Sequence, residues 1–461
     1  MKPNLSVLHL SASDNFGGSG RSANRVHVGL KRLGVRSRML VGWKVTKDPQ
    51  VRLIDGRGWL LNRAIGRTVD RLGLQSLFYP SSMALPLHPW FRQADVVQLY
   101  NLHGGFFSPT ALPWLSRFRP VVWRLSDMWP LTGHCAYSFA CERWKTGCGA
   151  CPILSDYPSL PWDTTALLWR TKRWVYARSR LTIVSPSRWL ASVASASPLL
   201  QHYPIHVIPN GLDTTVFRPI SRPAAREVLG IDPERQVILF SAKSLADRRK
   251  GGTLLREALA RLTTHGRANV VLLLVGEEAS DWQAPEVFET RRVSHTRSDE
   301  LLAVIYSAAD LFVLPTLADN LPNGVIESMA CGTPVVSFNV GGVPDAVRHM
   351  DTGYLAVPGD AADLAHGIQV LLEDPQRLRQ MQGTCRKVVE CEYTLELQAK
   401  RFLELYQNLL AQPQQPGPIP SEVRPRRAER RLAVMQSPAC SHPLRRLPVA
   451  ALQLKEAQGW L

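Results

Sequence analysis

The sequence predicts a two-domain α/β protein in which each domain is a parallel sheet covered by helices on both faces. Short β-branched runs alternate with longer helical patterns over most of the 461 residues. Strands separated by helices cross over and return in the same direction, which makes parallel sheets. The runs fall into two sets, and the chain is long enough for two or three hydrophobic cores.

In chain order the first set reads LSVLHLSA, DVVQLY, PVVWRLS, RLTIVSPS and HVIPN. The second reads QVILFSA, NVVLLLVG, ADLFVLP and TPVVSFN. Between them VIPNGLDTTVFRPISRPAAR (Val207 to Arg226) carries the Pro and Gly of a linker. The predicted layout is one domain over 1–210 and a second over 211–395. A helix over 396–412 is expected to pack back toward the first domain. Residues 413–461, rich in Pro and Arg and lacking a core-forming pattern, read as a disordered tail.

Apolar residues make up 45% and charged residues 20%, as in ordinary globular proteins, but fifty-five Lys and Arg against thirty-eight acids leave a net +17. That balance suits an anionic partner, whether nucleic acid, a membrane surface or a phosphorylated small molecule. The tail holds eight Lys/Arg and three Glu, a net +5, and suits peripheral contact with anionic lipid. No run reaches the roughly 18 apolar residues of a membrane span. The opening apolar run is too short for a signal peptide and His9 interrupts it. A cytoplasmic location is therefore expected, with the inner membrane face open to the basic tail.

The chemistry-bearing stretch is LADNLPNGVIESMACGTPVVSFNVGGVPD, Leu317 to Asp345. A strand ends, a loop follows, and Asn323 is placed to cap a helix that runs to Gly332. Such a helix start offers unpaired N–H groups and a positive dipole end to a phosphate. Asp319 and Glu327, one in the loop and one in the helix, both face a ligand held there. Carboxylates suit sugar hydroxyls, because each oxygen accepts two bonds. A second glycine loop, DNFGGSGRSAN (Asp14 to Asn24), follows a strand and opens a helix, so Gly17 and Gly18 allow close backbone approach to phosphate.

DNLPNGVIESMACGTPVV resembles the hallmark of the retaining GT-B-fold glycosyltransferases of the family 4, or group 1, type. That group includes bacterial colanic-acid and other surface-polysaccharide transferases. VIPNGLD with FRP, RKGG at 249–252, YSAADLFVLP and DTGYLAVPGD match as well, so the resemblance runs from Val7 to Leu410. It implies two Rossmann-like domains facing a central cleft. It also implies retaining transfer of a sugar from a UDP- or GDP-linked donor to a glycan or lipid-linked acceptor. Glu327 would hold ribose hydroxyls; Asp319 and the backbone of Asn320, Leu321, Pro322, Asn323 and Gly324 would hold the sugar and its phosphate. Lys250 with Arg249 would neutralise the diphosphate, and Lys243 would stand where relatives carry Arg. Relatives often carry His before Asp127, where this chain has Ser126. Acceptor-side candidates are therefore His103, Asp127 and His134. No cofactor is required for such chemistry.

GHCAYSFACERWKTGCGACP (Gly133 to Pro152) packs Cys135, Cys141, Cys148 and Cys151 into seventeen positions. In a reducing compartment these read as a structural zinc site or as packed thiols. Two other readings stay open on sequence alone. One is a nucleotide-sugar epimerase of the same architecture. The other is a zinc-dependent nucleic-acid-binding protein, although the densest Arg run lacks the interleaved aromatics that nucleic-acid contact favours; no nucleic-acid partner is expected.

Overall fold

The computed structural model describes residues 5–55, 59–244, 247–262, 269–277, 283–412 and 433–434. The first sheet is built from β1 (Ser6–Ser13), β2 (Arg36–Trp43), β3 (Val51–Leu53), β4 (Val96–Leu99), β5 (Val121–Arg124), β6 (Leu181–Ser185) and β7 (Ile205–Val207). Its order is β7-β6-β5-β4-β1-β2-β3, parallel throughout. The second sheet takes β8 (Gln236–Ser244), β9 (Val270–Glu277), β10 (Glu289–Val293), β11 (Leu311–Leu314), β12 (Val335–Phe338) and β13 (Gly353–Ala356) in the order β10-β9-β8-β11-β12-β13. Every residue of β4, β5, β6, β11 and β12 is buried, as expected of strands covered on both faces. The strands that the run pattern does not announce are mostly edge or near-edge ones. ETRRV of β10 has no fully buried residue, and β3 and β13 are three and four residues long.

Six helices shape the cleft and its surroundings: α1 (Gly17–Arg32), α2 (Leu112–Phe118), α3 (Thr165–Tyr176), α4 (Asp299–Ala308), α5 (Asn323–Ala330) and α6 (Leu395–Ala411). Local chemistry sets their ends. Ser298 caps α4 by accepting from the Leu301 N–H, with Asp299 and Glu300 favouring the positive end. Thr394 caps α6 through the Leu397 N–H.

α6 follows the second sheet in sequence but joins the first sheet's core. Its Phe402, Leu405 and Tyr406 pack with Val26 and Leu30 of α1, and the Tyr406 hydroxyl donates to Gln98 Oε1 at 2.9 Å. Where the chain passes between sheets, the Leu212 N–H donates to Tyr393 O (2.9 Å) and the Leu395 N–H to Leu212 O (2.8 Å). The tail lies outside the described residues except for Ala433–Val434. These two form a strand beside His206 and Val207, a local departure from the expected disorder. No helix among the described residues is long and apolar enough to cross a membrane.

Gly211 sits where the joint is tightest: a Cβ there would lie 2.7 Å from Thr394 O and 2.8 Å from Gln398 Cβ. Gly211→Ala is expected to cost about 1–3 kcal/mol of stability by overpacking, read from denaturant unfolding.

Candidate functional site

The C-terminal ends of β1, β4 and β5 face those of β8 and β11 across a cleft of about 1280 Å³. In open parallel sheets this is the edge where ligands bind. Two helices begin on it from opposite sides. α1 starts after Phe16, which makes no side-chain cap, and Gly17 takes the left-handed conformation (φ +67°) that L side chains avoid. α5 starts after Pro322, again without a side-chain cap. Asn323 is therefore not the expected cap. It is the first helical residue, and its Nδ2 crosses the cleft to Gly18 O at 3.1 Å. Two positive helix ends are thus brought close together.

Glu327, in the second turn of α5, is buried among cations from the other domain. Arg25 Nη2 lies 2.7 Å and Arg21 Nη2 3.4 Å from its Oε1, while the Tyr306 hydroxyl reaches Oε2 at 3.4 Å. Arg21 also pairs with Asp299 at the start of α4. Burial alone would push the Glu327 carboxyl up, but Arg21 and Arg25 together hold it below the ordinary range. Asp319 repeats the pattern within its own domain: Lys250 Nζ lies 2.5 Å and Arg249 Nη1 3.2 Å from Oδ2. Burial again acts upward, and the two cations again bring the carboxyl below its usual value.

The loop between these acids is held from several sides. Asn320 donates to Ser126 O (3.1 Å) and accepts from the Ser187 hydroxyl (2.5 Å). Asn210, from the joint, donates to Leu321 O and to Asn323 Oδ1, each at 3.0 Å. Gly324 passes so near Tyr306 that a Cβ would meet its hydroxyl at 3.0 Å. Ser126, standing where relatives often place His, bonds the Ser19 hydroxyl at 2.7 Å and so ties the glycine loop to β5.

Lys243 lines the cleft but has no ion pair with Asp319 among the described residues. Its Nζ stands 4.9 Å from the centre of the Phe16 ring, which Arg297 approaches at 5.1 Å and Trp43 stacks against at 5.1 Å. His103 and Asp127 come together, Nε2 to Oδ2 at 2.9 Å, both bordering the cleft. The Asp127 bond fixes the proton on Nε2 when the ring is neutral, which leaves Nδ1 as an acceptor. His103 Nδ1 is buried without a hydrogen-bond partner among the described residues.

His134 is not with them. It belongs to the cysteine loop, with Nδ1 on Pro158 O at 2.9 Å and Nε2 on Cys151 Sγ at 3.3 Å. Cys135, Cys141, Cys148 and Cys151 border a cavity of about 20 Å³ beside it. Yet among the described residues no three His, Cys, Asp or Glu side chains are grouped to hold a metal ion. None of the four is in a disulfide; burial pushes the Cys135 thiol up to about 12 and raises Cys148 and Cys151 too. Hydrogen bonds and one cation hold the loop. Gly133 N–H donates to Cys148 Sγ (3.2 Å), and buried Lys172 donates to Trp129 O (2.6 Å) and Thr132 O (2.9 Å).

Sequence reasoning passed over Arg21, Arg25, Tyr306, Asn210 and Arg297. Arg21 and Arg25 left a signal: two cations four residues apart share one helix face, immediately after the glycine loop. Donor choice is also expected to depend on the loop 276–282, whose residues 278–282 lie outside the described ones.

Two Rossmann-like sheets facing a cleft, with a helix returning to the first, define the GT-B fold. The chain superimposes on sucrose-phosphate synthase from Thermosynechococcus elongatus with a TM-score of 0.60 at 19% identity, over 88% of this chain and 99% of that one. It superimposes on Anabaena HepE, solved with UDP-glucose, with a TM-score of 0.59 at 16% identity, over 88% and 100%. At these identities the likeness establishes the fold alone. Residues 235–374 match the glycosyl transferases, group 1, so the second sheet carries a domain of that family. The chain is 34% identical over 201 residues to a D-inositol 3-phosphate glycosyltransferase of Segniliparus rotundus, covering 40% of this chain and 44% of that protein. The chain spans about half the length of the curated relatives it matches.

A Cβ on Gly342 would fall 1.8 Å from Asn320 O, although its backbone conformation suits any residue. Gly342→Ala must displace the 319–320 backbone and is expected to cost about 1–3 kcal/mol of stability by overpacking, read from denaturant unfolding. Glu327 and Asp319 titrate lower in the folded chain than their ordinary values of about 4. Their stabilisation is therefore complete above the unfolded values and is lost as pH falls through the lower folded ones. Denaturant midpoints should drop on acidification through that window, and Glu327→Gln should flatten the drop.

Proposed function

We propose that the chain is a glycosyltransferase that moves a sugar from a UDP- or GDP-linked donor to a glycan or lipid-linked oligosaccharide acceptor, with retention of configuration. The observation that carries this reading is the convergence of two uncapped helix starts with Lys250 and Arg249 on a pair of buried, ionised carboxylates. A diphosphate between the helix ends would supply the negative charge that this arrangement favours. The fold match to a protein solved with UDP-glucose is in keeping with that donor class.

In this reading Glu327 keeps Oε1 on Arg25 and offers its remaining acceptor sites to ribose hydroxyls. Asp319 anchors Lys250 and Arg249 beside the departing phosphate. The side chains of Asn320 and Asn323 are engaged in holding the loop, so the donor's phosphate meets backbone N–H groups at the start of α5. Negative charge grows on the leaving diphosphate as the sugar gains oxocarbenium character, and these fixed dipoles and cations stabilise it. The phosphate takes the acceptor's proton on the same face. His103, oriented by Asp127, accepts a hydrogen bond from a sugar hydroxyl on the first domain's side. Surface-polysaccharide assembly, at the cytoplasmic face of an anionic membrane, is the setting we favour. The name of the Segniliparus relative also makes an inositol phosphate a worthwhile acceptor to assay.

A panel of nucleotide-sugars screened by thermal shift identifies the donor, and transfer or slow donor hydrolysis then tests the site. Lys250→Ala is expected to lose about 2.7–4 kcal/mol of transition-state stabilisation. Glu327→Ala leaves Arg25 buried beside an empty site and is expected to destabilise the chain as well, so Glu327→Gln is measured with it. Full activity in a folded Glu327 variant would remove Glu327 from the donor site.

A further inference from the structure

α2 and α3 lie side by side on the first domain and bury Leu112, Leu115, Leu168, Trp169, Val175 and Tyr176. Their outer side is unusual. Trp114 is 44% exposed, Phe118 41%, Leu167 50% and Trp174 54%. Large exposed apolar groups gathered in one place mark an interaction surface. Trp114 and Phe118 meet edge to face at 4.8 Å, and the Arg178 guanidinium covers the Trp174 ring at 4.4 Å. Leu167, Arg170, Trp174 and Arg178 succeed one another at helical spacing along α3 and the turn that ends it.

The charge around these groups has one sign. Arg117, Arg119, Arg170, Arg173, Arg178 and Arg180 lie on α2 and α3 or within four residues of their ends, and neither 96–126 nor 164–212 contains an Asp or Glu. Two such faces would repel each other, which argues against a second copy of this chain. Tryptophan interleaved with arginine suits the headgroup level of an anionic bilayer, where rings lie among acyl ends and guanidinium groups meet phosphates.

We propose that the α2–α3 face docks the chain on a membrane rich in anionic phospholipid. The surface deepens the membrane setting of the proposed function, yet it stands on residues the cleft does not use. It is also joined to the cleft: Thr165, which opens α3, accepts from the Gly149 N–H of the cysteine loop at 2.9 Å, and Ala136, Tyr137 and Phe139 of that loop line the cleft.

The full chain is sedimented with vesicles of phosphatidylglycerol in phosphatidylcholine, and with phosphatidylcholine alone. Binding is expected only to the first and should weaken with salt. Each arginine of the face replaced by serine should weaken partitioning about fivefold. Trp114→Ser with Trp174→Ser should abolish it while leaving the unfolding midpoint and donor hydrolysis unchanged. Equal binding by parent and double variant would overturn the proposal, as would failure of the parent to bind phosphatidylglycerol. So would a parent dimer that the variant dissolves without any change on vesicles. A chain that binds vesicles through this face but turns over no donor would refute the glycosyltransferase reading and leave the surface standing.

Discussion

The cleft depends on a charge conflict that is resolved across it. α1 and α5 direct uncapped, positive ends at the same space, and Arg21, Arg25, Arg249 and Lys250 add four cations. Left alone, such a wall would push the sheets apart. Glu327 and Asp319 offset it from within, each placed against two cations. The Glu327 pairs join a residue of the second domain to two of the first, so the ionised carboxylate ties the two domains together. A buried pair of this kind adds little net stability, but breaking one partner is costly. The pairs therefore fix geometry more than they stabilise the fold.

Close backbone packing supplies the precision that charge alone lacks. Gly341, at φ +55°, lets the GGVP turn run against the loop so tightly that a Cβ would sit 1.9 Å from Asp319 O. Gly251, at φ +71°, does the same against Pro315 O and thereby sets Lys250 beside Asp319. These glycines are where the sequence yields chain freedom to obtain approach.

The second domain's half of this arrangement is legible in the sequence because its determinants are local. In DNLPNGVIESMACGTPVV both carboxylates and the helix start lie within a few turns of chain, and GTP and GGVP name their own turns. The parts that escaped depend on distant partners. Arg25 becomes important only because Glu327, 302 positions away, lies opposite it. Asn323 reads as a cap until Gly18 is seen to compete for its amide. ETRRV lacks the apolar signature of a strand because an edge strand owes its place to pairing rather than burial. For the cysteines, dense spacing supplies candidate ligands, but orientation toward a common point is a tertiary property that spacing does not contain.

That loop still has a mechanical part to play. Lys172 projects from α3, is buried, and reaches the carbonyls of Trp129 and Thr132, with its ammonium 3.6 Å from the Trp129 ring centre. Burial lowers its pKa to about 7. The turn it grips begins at Asp127, whose Oδ1 accepts from the Trp129 N–H while Oδ2 holds His103. The outer helix, the turn and the His103–Asp127 pair are thus connected by hydrogen bonds. Whatever fixes α3 in place is thereby tied to the His103–Asp127 pair at the edge of the cleft.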